Sequence, residues 1–136
     1  MILVDSVFIH SGGGKALLDY LISELNKTGK DIFYLLDERY RSKLPEHIKG
    51  NYQFANGWLQ RCLFYNKNKN RFSKVFCIGN IPPHVKLRQA TVVMYFHSAT
   101  YITQSTEVNL KAKMIHFIKK RIFYSSISNA NLWIVQ

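Results

Sequence analysis

The chain has 136 residues and a formal net charge of +11, with 47% hydrophobic and 14% aromatic residues. This length and apolar content describe one globular domain with its own core, and exclude a disordered chain or one with room for a second full domain. No apolar run approaches the roughly 20 residues of a membrane-crossing helix, and the N-terminus lacks the basic, apolar and small-residue order of a secretory signal, so a cytoplasmic chain is expected.

Residues 2–9, ILVDSVFI, read as a buried strand. A glycine turn, Ser11-Gly12-Gly13-Gly14, leads into a helical pattern in which Leu17, Leu18, Leu21, Ile22 and Leu25 share one face. Lys15, Asp19, Ser23 and Lys27 lie largely on another face, and Gly29 is placed as the stop. Residues 31–36, DIFYLL, complete a βαβ unit. The charged stretch 37–43, followed by Pro45, predicts a loop or a short surface helix, and Tyr52-Gln53-Phe54 a short edge strand. Asn56 is a candidate cap for a helix with Trp58, Leu59, Cys62 and Leu63 on one face, and residues 66–71, NKNKNR, should be exposed.

Residues 74–78, KVFCI, restore the strand pattern, which Gly79-Asn80 ends, and Pro82-Pro83 hold the exit extended. The next predicted strand, residues 90–96, delivers His97 and Ser98 to the edge where the other strands end, if all are parallel. A last helix is expected over about residues 107–124. Leu110, Met114, Phe117, Ile118 and Ile122 form its expected inward face, and Asn109, Lys113, His116 and Lys120 a polar stripe. After a turn-rich interval, residues 132–135, LWIV, read as a final strand. The sum is an α/β layer arrangement with at least four strands.

Charge is unevenly divided. Residues 1–60 hold seven basic and seven acidic residues, whereas residues 61–136 hold twelve basic residues and only Glu107 on the acidic side. Such a field attracts phosphates on nucleic acids, on lipid headgroups or on a diphosphate-linked substrate, or simply solubilises the surface. Cys62 and Cys77 have no metal-ligand spacing and read as reduced packing residues.

The glycine turn is the sharpest local feature, because it permits close ligand approach and is followed by free helix amides that hold anions; a purely structural turn is the other reading. It is not a phosphate-binding Walker loop: Ile9 stands where that motif has its first glycine, and Ala16 follows the lysine. Nor does it match GxGxxG. His97 stands beside Ser98 and Thr100 at the expected ligand edge, where imidazole suits contact with a phosphate or sugar hydroxyl; a strand-end bond to a neighbouring carbonyl is the alternative. His10, at the exit of the first strand, divides equally between turn bonding and substrate contact. Asp5, inside an apolar strand, is expected to meet an amide, hydroxyl or cation in a structural role. His84 reads as an ordinary exposed histidine, and His47 and His116 have weaker claims, His116 lying in a solvated basic stripe. No metal-binding spacing, nucleophile elbow or acid/base carboxylate pair is present.

In order and spacing, MILVDSVFIHSGGGKALLDYLISEL, GNIPP, VVMYFHSATYI and ANLWIVQ resemble the N-terminal half of a GT-B glycosyltransferase of the large retaining family that includes bacterial lipopolysaccharide and capsule enzymes. The resemblance implies a Rossmann-like, mostly parallel sheet with helices on both faces, and a partner domain facing it across a cleft. It also implies transfer of a sugar from a nucleotide-diphosphate donor to a glycan or lipid-linked acceptor, with no metal cofactor and with the leaving diphosphate stabilised electrostatically. Gly12, Gly13 and Gly14 match the loop that approaches the donor diphosphate, and His97 the histidine that orients the transferred sugar. Lys15 would be an added basic contact outside the family pattern, and His10 and Ser98 further substrate contacts.

The family's second-domain glutamate pair and basic phosphate ligand have no counterpart here. The chain is therefore expected to be the acceptor-side domain alone, inactive without its C-terminal domain or a complementing chain, whether as a truncation, a fragment or a subunit. Lys111, Lys113, Lys119, Lys120 and Arg121 would approach an anionic membrane surface peripherally, the apolar face of their helix being reserved for the sheet. The alternatives are a phosphate- or nucleic-acid-binding module, for which no reader motif is present, and a non-catalytic partner domain.

Overall fold

Every strand runs the same way, so every strand ends at the same edge. The computed structural model describes residues 1–46, 48–97 and 109–135. Its strands are β1 (Ile2–Ser6), β2 (Ile32–Asp37), β3 (Asn51–Ala55), β4 (Lys74–Cys77), β5 (Thr91–Phe96) and β6 (Leu132–Val135). They form one six-stranded sheet in the order β3-β2-β1-β4-β5-β6, with each neighbouring pair parallel. This is the strand order of Rossmann-like, doubly wound sheets. The helices are α1 (Gly12–Lys27), α2 (Gly57–Lys67) and α3 (Leu110–Ser126), and a 3-10 helix spans Glu38–Lys43.

The order reverses direction between β1 and β4, and the right-handedness of parallel crossovers then assigns the faces. Connections running from β1 towards β3 cover one face: Leu18 and Ile22 of α1 pack with Val4, Tyr34, Leu36 and Tyr40. Connections running from β3 towards β6 cover the other, where Phe64 and Tyr65 of α2 pack with Leu3, Leu35, Val75 and Met94. Phe123 of α3 joins that face against Phe96 and Trp133. Leu18 and Ile22 are fully buried, and truncating either to Ala would cost about 2–5 kcal/mol.

The 3-10 helix and the edge position of β3 agree with the sequence reading, as does the C-terminal end of α1, where Gly29 adopts φ +64° just past the cap residue Thr28; at the other end the three glycines read as a turn form the first turn of the helix itself. Two helix faces differ from it. In α2 the inward residues are Arg61, Phe64 and Tyr65, while Leu59 and Leu63 are exposed. A buried ion pair has taken the position that apolar periodicity reserved for leucine. In α3 the residues buried are Phe123 and Ser126, and Leu110, Met114, Phe117 and Ile118 face solvent. The helix touches the sheet mainly through its C-terminal end, so its long apolar stripe is not the core face. Residues 107 and 108 lie outside the described residues.

Candidate functional site

The edge at the carboxyl ends of β1, β4 and β5 gathers most of the residues singled out above. After β1 the backbone turns sharply, with Phe8 at φ +83°, a conformation costly for a bulky side chain. Two buried carboxylates hold the turn. Asp5 Oδ1 accepts the Val7 amide at 3.1 Å, and Asp37 Oδ2 accepts the Phe8 amide at 2.9 Å. Gly12, at φ +61°, then opens α1 after the extended cap residue Ser11. The first turn of α1 has no acidic residue, and the amides of Gly12, Gly13 and Gly14 have no acceptor among the described residues. That leaves the positive end of the helix open to an acceptor-rich ligand.

His97 reaches the same edge from β5. Its backbone amide donates to Asn80 Oδ1 at 2.8 Å, which fixes the orientation of the Asn80 carboxamide. Asn80 Nδ2 then faces His97 Nε2 at 3.3 Å as a donor, so Nε2 accepts and the ring proton resides on Nδ1. Nδ1 has no hydrogen-bond partner among the described residues, although the atom itself is buried. Asn80 holds this position at φ +63°, a left-handed conformation that Asn tolerates better than most residues.

A cleft of about 600 Å³ is lined by Gly13, Gly14, Leu17, Tyr95 and His97. Three of the residues picked from the sequence thus share one cavity on the α1 side of the sheet. Gly12, His10 and Lys15 do not line it, and Ser98, Thr100 and His47 lie outside the described residues. Lys15 is turned along its helix to Asp19, whose other oxygen accepts the Tyr40 hydroxyl. A Cβ at Gly13 would meet nothing within 4 Å, whereas one at Gly14 would approach the Ile9 side chain to 3.1 Å.

His10 lines a second cleft of about 400 Å³, with Phe8, Arg39, Trp58, Ile81, Lys119 and Ile122. His10 Nδ1 is buried without a partner among the described residues, and the His10 carbonyl accepts the Lys43 ammonium at 2.9 Å. Arg39 grips Asp37 with two bonds, Nε at 2.8 Å and Nη2 at 2.9 Å. Burial opposes ionisation of Asp37, but the Arg39 guanidinium and the amides of Arg39 and Phe8 outweigh it and hold its pKa below the ordinary carboxylate value.

On the α2 face of the sheet lies a network in which the sequence reading foresaw Asp5 but not Arg61. Asp5 meets all three kinds of partner expected of it: the Val7 amide, the Tyr65 hydroxyl at 2.6 Å and Arg61 Nε at 2.8 Å. Arg61, itself buried, also donates to the carbonyls of Ile81 at 2.7 Å and Pro82 at 3.2 Å. Burial works against its charge, yet Asp5 keeps the guanidinium firmly protonated. The arginine fastens the loop after β4, including the segment next to Asn80. Burial and the Asp5 carboxylate push the Cys77 thiol up to about 12, so it supplies no thiolate near neutral pH.

Two histidines differ from their expected roles. His84 is half-buried rather than exposed, packed edge-on against Trp58 and Tyr65, and burial followed by Arg61 and Lys69 lowers its pKa. His116 is half-buried, and its Nε2 is buried with no partner among the described residues, whereas Asn109 and Lys113 of the same stripe are exposed. Among the described residues no cluster of three or more His, Cys, Asp or Glu is placed to hold a metal ion, and no helix is long and apolar enough to cross a membrane.

Chemically, the first cleft sets the first turn of α1 beside the His97 ring, with no carboxylate among the described residues that line it. It suits phosphate or sugar oxygens. No family model matches the chain, and no curated protein or solved structure matches it significantly.

Proposed function

We propose that this chain is the acceptor-side domain of a GT-B, retaining glycosyltransferase, in which the first turn of α1 and His97 form one wall of the site for a nucleotide-diphosphate sugar. The observation that carries the reading is the single cleft in which Gly13, Gly14 and His97 meet at the carboxyl edge of a parallel sheet. The open amides of α1 would face the donor diphosphate, and the His97 ring would lie against the transferred sugar. In this reading the nucleotide is held mainly by a second domain, supplied by the same protein or by a complementing chain, and the acceptor is a glycan or a lipid-linked glycan. Developing charge on the leaving diphosphate is met by amides, the helix end and the basic second half of the chain rather than by a bound metal. Donor recognition and turnover therefore belong to the two-domain assembly, and the isolated chain would bind its donor weakly.

Amide NMR of the full 136-residue chain tests this. Titration with uridine- or guanosine-diphosphate sugars should shift the amides of Gly13, Gly14 and His97, and Gly13→Glu should abolish those shifts, because it fills the cleft with a carboxylate. A single-stranded RNA that shifts the same three residues more strongly would favour a nucleic-acid-binding module. Absence of any response in the cleft at millimolar sugar nucleotide would overturn the donor-site reading.

A further inference from the structure

The second cleft, of about 400 Å³, lies where the strand order changes direction. β1 and β4 are neighbours at that point, and in open parallel sheets the crevice outside such strand ends is the usual place for a ligand. Phe8 and His10 enter the cleft just after β1, Arg39 just after β2 and Ile81 just after β4; Trp58 comes from the first turn of α2, and Lys119 and Ile122 come from α3. Two aromatic and two aliphatic side chains thus share the lining with three that carry N–H groups, and no acidic residue lines it. Much of this surface is fixed in advance. Asp37 Oδ2 accepts both the Phe8 amide and Arg39 Nη2, each at 2.9 Å, so one buried carboxylate sets an aromatic residue and a cation of the cleft. Trp58 packs edge-on against His84, and the Arg61 guanidinium lies 5.6 Å from its ring centre. Surfaces held in this way lose little freedom on binding.

Charge selects the ligand. Arg39 spends Nε and Nη2 on Asp37, which cancels its charge and leaves Nη1, while Lys119 forms no ion pair among the described residues. Lys43 is held on the His10 carbonyl and does not line the cleft. The buried ring nitrogen of His10 is Nδ1, which leaves Nε2 for a ligand. Two cations less the Asp37 carboxylate make a single uncompensated positive charge beside an apolar surface. We propose that this cleft binds a small aromatic monocarboxylate, its ring against Trp58 and Phe8 and its carboxylate accepting from Lys119 and Arg39 Nη1. A ring without a charge leaves Lys119 unmatched, and a charge without a ring leaves the apolar surface wet. A phosphate monoester dianion brings a second negative charge towards Asp37. The site is separate from the cleft of Gly13, Gly14 and His97, and it does not rest on the sugar-nucleotide reading.

Phenylacetate is the probe, titrated into the full chain and followed by amide and indole NMR at about pH 8, where a phosphate monoester is a dianion. It should shift the Trp58 indole N–H and the amides of His10 and Ile81 with a millimolar Kd. Phenylacetamide, acetate and phenyl phosphate should each bind at least about fivefold more weakly. Lys119→Gln should weaken phenylacetate binding by about fivefold and leave the thermal unfolding midpoint unchanged, since Lys119 is exposed. Gly13→Glu, which fills the other cleft, should leave phenylacetate binding unaltered and so separates this site from the donor wall. No shift of these three residues in tens of millimolar phenylacetate, loss of the preference over any of the three comparison compounds, or undiminished binding by Lys119→Gln would refute the proposal.

Discussion

Asp5 and Arg61 are 56 positions apart in the chain and are both almost fully buried. Removing the carboxylate alone, as Asp5→Ala, strands a guanidinium in the core and should cost about 3–5 kcal/mol in urea unfolding. Asp5→Leu combined with Arg61→Met should cost clearly less than the sum of the single changes; strict additivity would show that the pair is not coupled. Asn80 governs the site more finely. Asn80→Ala removes both bonds to His97 and leaves alanine at a left-handed φ, so we expect a loss of about 1–2 kcal/mol. The ring nitrogen shifts of His97 should also move from a fixed Nδ1–H form towards a tautomer mixture, whereas an unchanged Nδ1–H signature would remove Asn80 from that role. His97 was legible because a strand visibly delivers it to the edge. Arg61 was not: nothing local distinguishes a buried arginine from a surface one when its partner lies in another strand.

At the level of elements, β2 ends on a carboxylate that ties down the exit of β1. Because the pKa of Asp37 is lowered by folding, its ionised form stabilises the native state above about pH 4, and that contribution is lost as pH falls through its folded value. Urea midpoints measured from neutral pH downward should therefore fall more steeply on the acid side for the parent than for Asp37→Asn, which should start lower by about 1–3 kcal/mol. Parallel curves would refute this coupling. The same scale shows where sequence periodicity stops. In α1 the leucine spacing and the glycine stop agree, and the helix packs as expected, although it begins at Gly12 rather than after the glycines. In α3 the spacing is just as regular, but periodicity reports that one face is apolar, not which way it is turned. The contacts of Phe123 with Phe96 and Trp133 orient that helix, and they join residues well separated in sequence.

Across the whole molecule, the βαβ start and the apolar runs made the α/β class readable, and the observed sheet extends it to six parallel strands. The two clefts were less accessible to reasoning from motifs, since each combines residues from distant parts of the chain. The stretch from the exit of β1 into the first turn of α1 serves both, with Phe8 and His10 on one side and Gly13 and Gly14 on the other. Charge adds a second asymmetry: the basic half of the sequence includes α3, and the near-neutral half includes α1 and its glycine turn.

Gly79 makes the last point about where constraint resides. A Cβ there would lie 2.5 Å from the Val7 carbonyl oxygen, so the loops leaving β1 and β4 meet backbone to backbone, and no other amino acid fits without moving one of them. Gly13 has open space around it and an ordinary φ. The conspicuous glycine cluster therefore includes a position free to vary as far as folding is concerned, while a single glycine in an unremarkable loop is one the architecture cannot exchange. Pressure to keep glycine at position 13 would have to come from a ligand; at position 79 it comes from the chain itself.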